Sequence, residues 1–208
     1  LQQRNRAILA QYFPEGTSDI AYEWIQKFRF RFRISRSRQT RFGDYQASTK
    51  LGEPHKISVN HDLNPYAFLI TFLHEIAHLI TYERHRDNVL PHGTEWKQAF
   101  SELLTVFLTR RTFPPDIENA LQRTILNPKA SSCTDQQLFR VLKRYDHKPV
   151  VHLEELPTDS IFSLGKNGIY KKGIKRRTRY LCQHLTNKKN YLISGIAEVK
   201  PISSSFPF

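Results

Sequence analysis

At 208 residues, 39% of them hydrophobic and 25% charged, the chain is long enough for one substantial core and a smaller second unit. Thirty-two Lys and Arg against nineteen Asp and Glu leave a formal net charge of +13, which points to polyanionic partners such as DNA or RNA. No stretch reaches the roughly 18 uncharged apolar residues of a membrane span, no apolar signal core follows Leu1 to Arg6, and Cys133 and Cys182 do not make a disulfide framework. The expected setting is therefore cytoplasmic with no membrane partner, or nucleoid-associated if DNA is bound. Methionine is absent even at position 1, so a translation start upstream of Leu1 is expected.

Along the chain, Ser18-Asp19 is expected to cap a helix whose Ile20, Ala21, Trp24, Ile25 and Phe28 form an apolar face. The period then changes. Phe28-Arg29-Phe30-Arg31-Phe32-Arg33-Ile34 alternates strictly, as a strand with aromatics toward the core and Arg29, Arg31 and Arg33 on the other side. A solvated strand face would explain some arginines, but six between Arg29 and Arg41 exceed what solubility needs. Guanidinium suits phosphate, so Arg29, Arg31 and Arg33 are candidate nucleic-acid contacts. Phe42 to Gln46 and Lys56 to Val59 read as two more short strands around the turn-rich segment 48–54, making a small antiparallel sheet.

The next helix, Asn64 to about Arg84, opens with a capping Asn and with Pro65 at a position where proline's missing N–H costs nothing. Its first two turns are apolar nearly all round, the pattern of a buried helix. Against that background Thr71, His74, Glu75, His78 and Thr81 fall at separations of three or four and share one face. Histidines at i and i+4 can reach one Zn²⁺, and the glutamate beside the first can serve as general base toward a metal-activated water. By chance alone His-Glu-x-x-His arises in about 2% of shuffled chains of this composition, so context has to carry the assignment. The context is a helix otherwise buried, where unpaired ionisable groups are costly.

Three protein ligands leave a catalytic zinc one open position, and His92 is the best third. It stands just before a helix, Thr94 to about Arg110, whose Trp96, Ala99, Phe100, Leu103, Leu104, Phe107 and Leu108 form the face that would pack against the first. Glu95 is the fallback ligand. Glu83 is a weaker one, and His55, His61 and His85 read as surface histidines. Pro114-Pro115 stops the second helix. A short helix over Asp116 to about Ile125 ends before Asn127-Pro128, and another runs from Asp135 to about Tyr145. Cys133 reads as a packing residue. A first domain of residues 1–145 is expected, followed by a second over 146–208.

From Val150 the pattern is β. Ile161 to Leu164 and Ile169 to Lys172 flank Asn167-Gly168, the signal for a type I′ hairpin. Further strands are expected at Thr178 to His184, Tyr191 to Ser194 and Ala197 to Ile202, making a curled sheet or small barrel. A second basic cluster, Lys171, Lys172, Lys175, Arg176, Arg177 and Arg179, lies between Tyr170 and Tyr180. It suits a phosphate backbone with bases stacked on the tyrosines, although a solvated hairpin connection is the usual fate of such runs.

His74-Glu75-Ile76-Ala77-His78-Leu79-Ile80 followed by Pro91-His92-Gly93-x-x-Trp96 resembles the SprT-like zinc metallopeptidases. Arg41-Phe42-Gly43-Asp44-Tyr45 and Ile57-Ser58-Val59-Asn60 extend the resemblance over about residues 10 to 125. Thr81 stands where the metzincin pattern has glycine. The resemblance implies a zincin-like α+β domain holding one catalytic Zn²⁺, and a protease for proteins trapped on DNA. Relatives often carry a zinc ribbon in the C-terminal part. Here Cys182 and His184 are the only close pair, so the expected second domain is a basic β unit without that metal.

The expected activity is zinc-dependent endopeptidase, with Glu75 as general base, His74, His78 and His92 as ligands, a protein substrate and single-stranded or damaged DNA as partner. The alternatives are a non-enzymatic nucleic-acid-binding protein with structural zinc and a zinc peptidase unrelated to DNA. Glu75 favours the enzyme, since a structural site needs no carboxylate beside an open position.

Overall fold

The structure is a computed structural model that describes residues 2–38, 41–48, 50, 52–126, 135–148 and 150–202. The expectations for Cys133 and for the break at Asn127-Pro128 lie outside them. The chain divides into two compact units, Leu1–His147 and Lys148–Phe208. Among the described residues, no helix is long and apolar enough to cross a membrane.

In the first unit, α1 (Gln2–Leu9) and α2 (Ser18–Lys27) precede a sheet of β1 (Arg31–Ser35), β2 (Gly43–Gln46) and β3 (Lys56–Asn60). Four helices follow: α3 (Pro65–His85), α4 (Thr94–Thr109), α5 (Pro115–Leu126) and α6 (Gln136–Lys143). The core is built around α3, which buries Phe68, Leu69, Ile70, Phe72, Leu73, Ile76, Ala77 and Leu79. Phe13 and Phe32 meet Phe68 and Phe72 edge-on, with ring centroids 5.0 to 6.3 Å apart, the offset that the aromatic quadrupole favours. On the other side α4 buries Trp96, Ala99, Phe100, Leu103, Leu104 and Phe107, as its periodicity predicts, while Leu108 is only partly covered.

The sheet is mixed rather than antiparallel. Its order is β1-β3-β2, with β1 parallel to β3 and β2 antiparallel to it. The chain leaving β1 passes to the far side of the sheet before β2, and β3 returns between the two, so β1 and β3 run the same way. β1 also begins later than its alternation suggests. Arg29 has φ 50°, a left-handed conformation that breaks the extended run, and the strand starts at Arg31. Beyond that point the alternation holds, with Arg31 and Arg33 exposed and Phe32 and Ile34 half-buried.

The expected cap of α2 is replaced as well. Ser18 is already helical, and the capping position falls to Thr17, whose hydroxyl donates to Pro14 O (2.7 Å) instead of capping. α1 had no counterpart in the sequence expectations. Its exposed polar face carries little apolar signal, and Leu9 alone is buried.

The start of α3 follows the sequence closely. Asn64 Oδ1 accepts from Ala67 N–H (3.0 Å), while Nδ2 donates to Leu142 O (2.9 Å) and Asp146 Oδ1 (2.7 Å). One buried amide thus caps the central helix and ties it to the end of α6.

The second unit is an antiparallel sheet of β4 (Ile161–Ser163), β5 (Ile169–Arg176), β6 (Arg179–His184), β7 (Asn190–Ser194) and β8 (Lys200–Pro201), in the order β7-β6-β5-β4-β8. Among the described residues that order leaves β7 and β8 as the outer strands, so the five make an open sheet. Leu153, Phe162, Tyr170, Cys182, Ile193 and Val199 form its core. The β4–β5 connection is not a type I′ turn. A short 3₁₀ turn, Gly165–Asn167, spans it, and Gly168 takes φ 104° while Asn167 has no positive φ.

Asn64→Ala removes the cap on Ala67 N–H and two donated bonds, to acceptors that keep Tyr145 N–H and Lys143 as partners, which should destabilise the fold by about 1–2 kcal/mol in urea unfolding. Asn64→Asp keeps the cap acceptor but loses both donated bonds and sets a second carboxylate near Asp146. It should therefore recover little of the loss.

Candidate metal centre

His74 and His78 lie one turn apart on α3. His92 reaches them from the α3–α4 connection in a left-handed conformation, φ 57°. Gly93 follows it because a Cβ there would stand 2.9 Å from Leu90 O, the carbonyl that receives the Gly93 N–H. The result is convergence: Nε2 of His74 is 3.2 Å from Nε2 of His78 and 3.3 Å from Nε2 of His92. With metal–nitrogen bonds of 2.0–2.1 Å, the edge of a tetrahedral ligand set is about 3.3 Å. Burial lowers the pKa of all three imidazoles, that of His78 to about 4. At neutral pH they are uncharged, with lone pairs free for a cation. These three residues could hold a metal ion, and among the described residues no other group of three could.

Trp96 supports the trio. It is fully buried, with its ring centroid 4.7, 5.4 and 4.7 Å from those of His74, His78 and His92. The fallback Glu95 is not part of the cluster. Nor is Thr81, whose hydroxyl donates back to Ala77 O (2.7 Å).

Glu75 is 6% exposed, and burial, with the Asp44 charge adding to it, raises its pKa to about 8 against the pull of Arg38 and Arg41. Gly43 on β2 packs directly on it. A Cβ at Gly43 would collide with Glu75 Oε1 and stand 2.7 Å from Thr71 Cγ2, so only glycine lets β2 lie this close. Arg38 is held by Asn60 Oδ1 (2.8 Å) and Ser58 Oγ (3.1 Å), and Arg41 pairs with Asp44. The roles of Gly43, Arg38 and Asp44 escape a sequence reading, since each depends on β2 crossing the face of α3. The Phe42-Gly43-Asp44 stretch is the only hint.

His55, expected at the surface, is instead engaged on both ring nitrogens, by Tyr45 Oη and Ser48 N–H at Nδ1 (3.1 Å each) and by Glu83 Oε1 at Nε2 (2.8 Å). Burial, with Tyr82 and Glu83 nearby, pushes the Tyr45 phenol up, so it stays protonated.

The basic candidates divide. Arg29, Arg31 and Arg33 are exposed and make no ion pair with a described residue, as are Lys175, Arg176, Arg177 and Arg179. Arg176, Arg177 and Arg179 line an open depression with Thr178 and Leu192. Lys172 is a correction. It is 3% exposed, its ammonium donates to Glu154 O and Leu156 O, and it sits 4.2 Å over the Tyr180 ring. Along β5 the alternation turns Tyr170 and Lys172 inward together. Tyr170 is buried too, stacked on Phe162, and offers no platform to a base. Lys171 pairs with Asp159 (2.9 Å).

Zinc affinity should fall less between pH 8 and pH 6 than at a site of ordinary imidazoles, because burial holds all three pKa values below 6.5, and should fall steeply toward pH 4, where His78 titrates. The same depressed values make the metal-free fold lose stability as pH falls through that lower range. Chelator competition across the pH series measures the first effect, and a tenfold loss already between pH 7.5 and 6 would contradict it.

The model of the SprT-like family matches residues 7–119, which include every residue of this centre. No curated protein and no solved structure gives a match.

Proposed function

This chain belongs to the SprT-like family, and on that premise we propose that it is a zinc-dependent endopeptidase acting on DNA-associated or DNA-crosslinked proteins. The observation that carries the enzymatic part is the meeting of three neutral imidazoles with a buried carboxylate one residue from the first of them. His74, His78 and His92 would hold the zinc, which when bound polarises a peptide carbonyl and acidifies water. Glu75 takes the proton of the attacking water and later passes it to the leaving amine. Burial raises the Glu75 pKa in the metal-free chain, and the charge of a bound zinc would draw it back toward the ionised form that a general base needs.

β2 supports a peptide substrate. It is an edge strand of its sheet, with Gly43 against Glu75 and Tyr45 parallel to the His78 ring at 6.2 Å. An extended peptide added to that edge would be carried along the row of chemical groups, with main-chain hydrogen bonds aligning it.

The DNA part rests on Arg31 and Arg33 of the first unit and Lys175, Arg176, Arg177 and Arg179 of the second, exposed and without an ion pair among the described residues, on a chain of net charge +13. Phosphate contacts of this kind fix position without reading sequence.

The test is cleavage of a DNA-binding protein with and without single-stranded DNA, by wild type, Glu75→Gln and the triple reversal Lys175→Glu, Arg176→Glu, Arg177→Glu. Glu75→Gln should keep zinc and DNA affinity while losing about 10²–10⁴-fold in turnover. The triple reversal should cleave a short peptide normally and bind single-stranded DNA more weakly, its log–log salt slope reduced by about 2. Undiminished cleavage by Glu75→Gln would move the base elsewhere. Equal DNA binding by the reversal would leave a zinc peptidase unrelated to DNA through this cluster.

A further inference from the structure

In many metal sites each ligating histidine is oriented by a carboxylate or carbonyl at its second ring nitrogen. Here, among the described residues, no such hydrogen bond reaches Nδ1 of His74, His78 or His92, and their rings are held by aromatic contact instead. Trp96 touches all three. Tyr45 meets His78 alone, its ring within 6° of parallel to the imidazole at 6.2 Å between centroids. That tyrosine is itself fixed. Because Ser48 N–H donates to His55 Nδ1 (3.1 Å), the proton of His55 sits on Nε2 and is donated to Glu83 Oε1 (2.8 Å). The Tyr45 hydroxyl, 3.1 Å away, then donates to the same Nδ1. Tyr82 closes the group, edge-on to His55 at 5.6 Å and capped by the Arg86 guanidinium at 5.2 Å.

We infer that Tyr45 is a positioning residue for the metal centre, an aromatic strut that sets the orientation of His78 and is anchored through His55 to Glu83 at the far end of the same helix. The chain Tyr45–His55–Glu83 links β2, the segment leading into β3, and the last turn of α3, so the ligand and its strut are referenced to one rigid element. This rests on the proposed centre, and the readouts separate the two.

The experiment measures zinc dissociation constants by chelator competition, and the visible absorption of the cobalt-substituted protein, for wild type, Tyr45→Phe, Tyr45→Leu and His55→Ala. Tyr45→Leu should weaken zinc binding by about 10- to 100-fold, the usual range for loss of an outer-sphere partner, and shift the cobalt bands. Tyr45→Phe keeps the ring but cuts the bond to His55, so it should bind zinc more tightly than Tyr45→Leu yet shift the cobalt bands as His55→Ala does, a pairing that a merely space-filling ring would not produce. If Tyr45→Leu does not fold, His55→Ala, which frees the phenol with both rings intact, must still shift the cobalt bands. Wild-type affinity and bands in Tyr45→Leu, or unchanged bands in His55→Ala, overturn the inference. A wild type that takes up neither metal overturns the centre and the strut together.

Discussion

A helix that is apolar nearly all round has to carry two histidines and a glutamate into the interior, and most of the first unit answers that constraint. Charged groups in such a place are expensive: in the metal-free chain burial holds His74 and His78 uncharged at physiological pH and raises the pKa of Glu75, whose ionised form a bound cation would favour. The site is therefore primed for a cation. The imidazoles are ready to accept it, and its charge would ready the carboxylate to take a proton.

The neighbouring elements each supply one part of what the stripe needs. α4 brings Trp96 against three imidazoles at once, β2 brings a glycine where any side chain would strike Glu75, and the α3–α4 connection turns His92 inward through a left-handed residue. Asn64 fixes where α3 begins and binds the end of α6 to it.

What could be read from the chain depended on how local the signal was. The cap at Asn64, the stripe on α3 and the apolar face of α4 are periodicities within one element, and they stand where the sequence put them. His92 was legible through its spacing from the helix and the glycine after it. The parallel pairing of β1 with β3 was not, because strand direction is decided by the path of the connection and not by the residues of the strand. Nor was the Tyr45–His55–Glu83 chain, which joins positions 10 and 28 residues apart with no repeating pattern between them. Lys172 is different. Its inward turn follows from the alternation that places Tyr170 in the core, and the density of positive charge around it masked that signal.

The central claim is that three imidazoles and one open position hold the metal. X-ray absorption at the zinc edge of the zinc-loaded protein tests it most directly. The account predicts three imidazole nitrogens and one further light atom at about 2.0–2.1 Å, with one imidazole lost from the spectrum of His92→Ala. A sulfur ligand at about 2.3 Å, or an imidazole count that His92→Ala leaves unchanged, would contradict it.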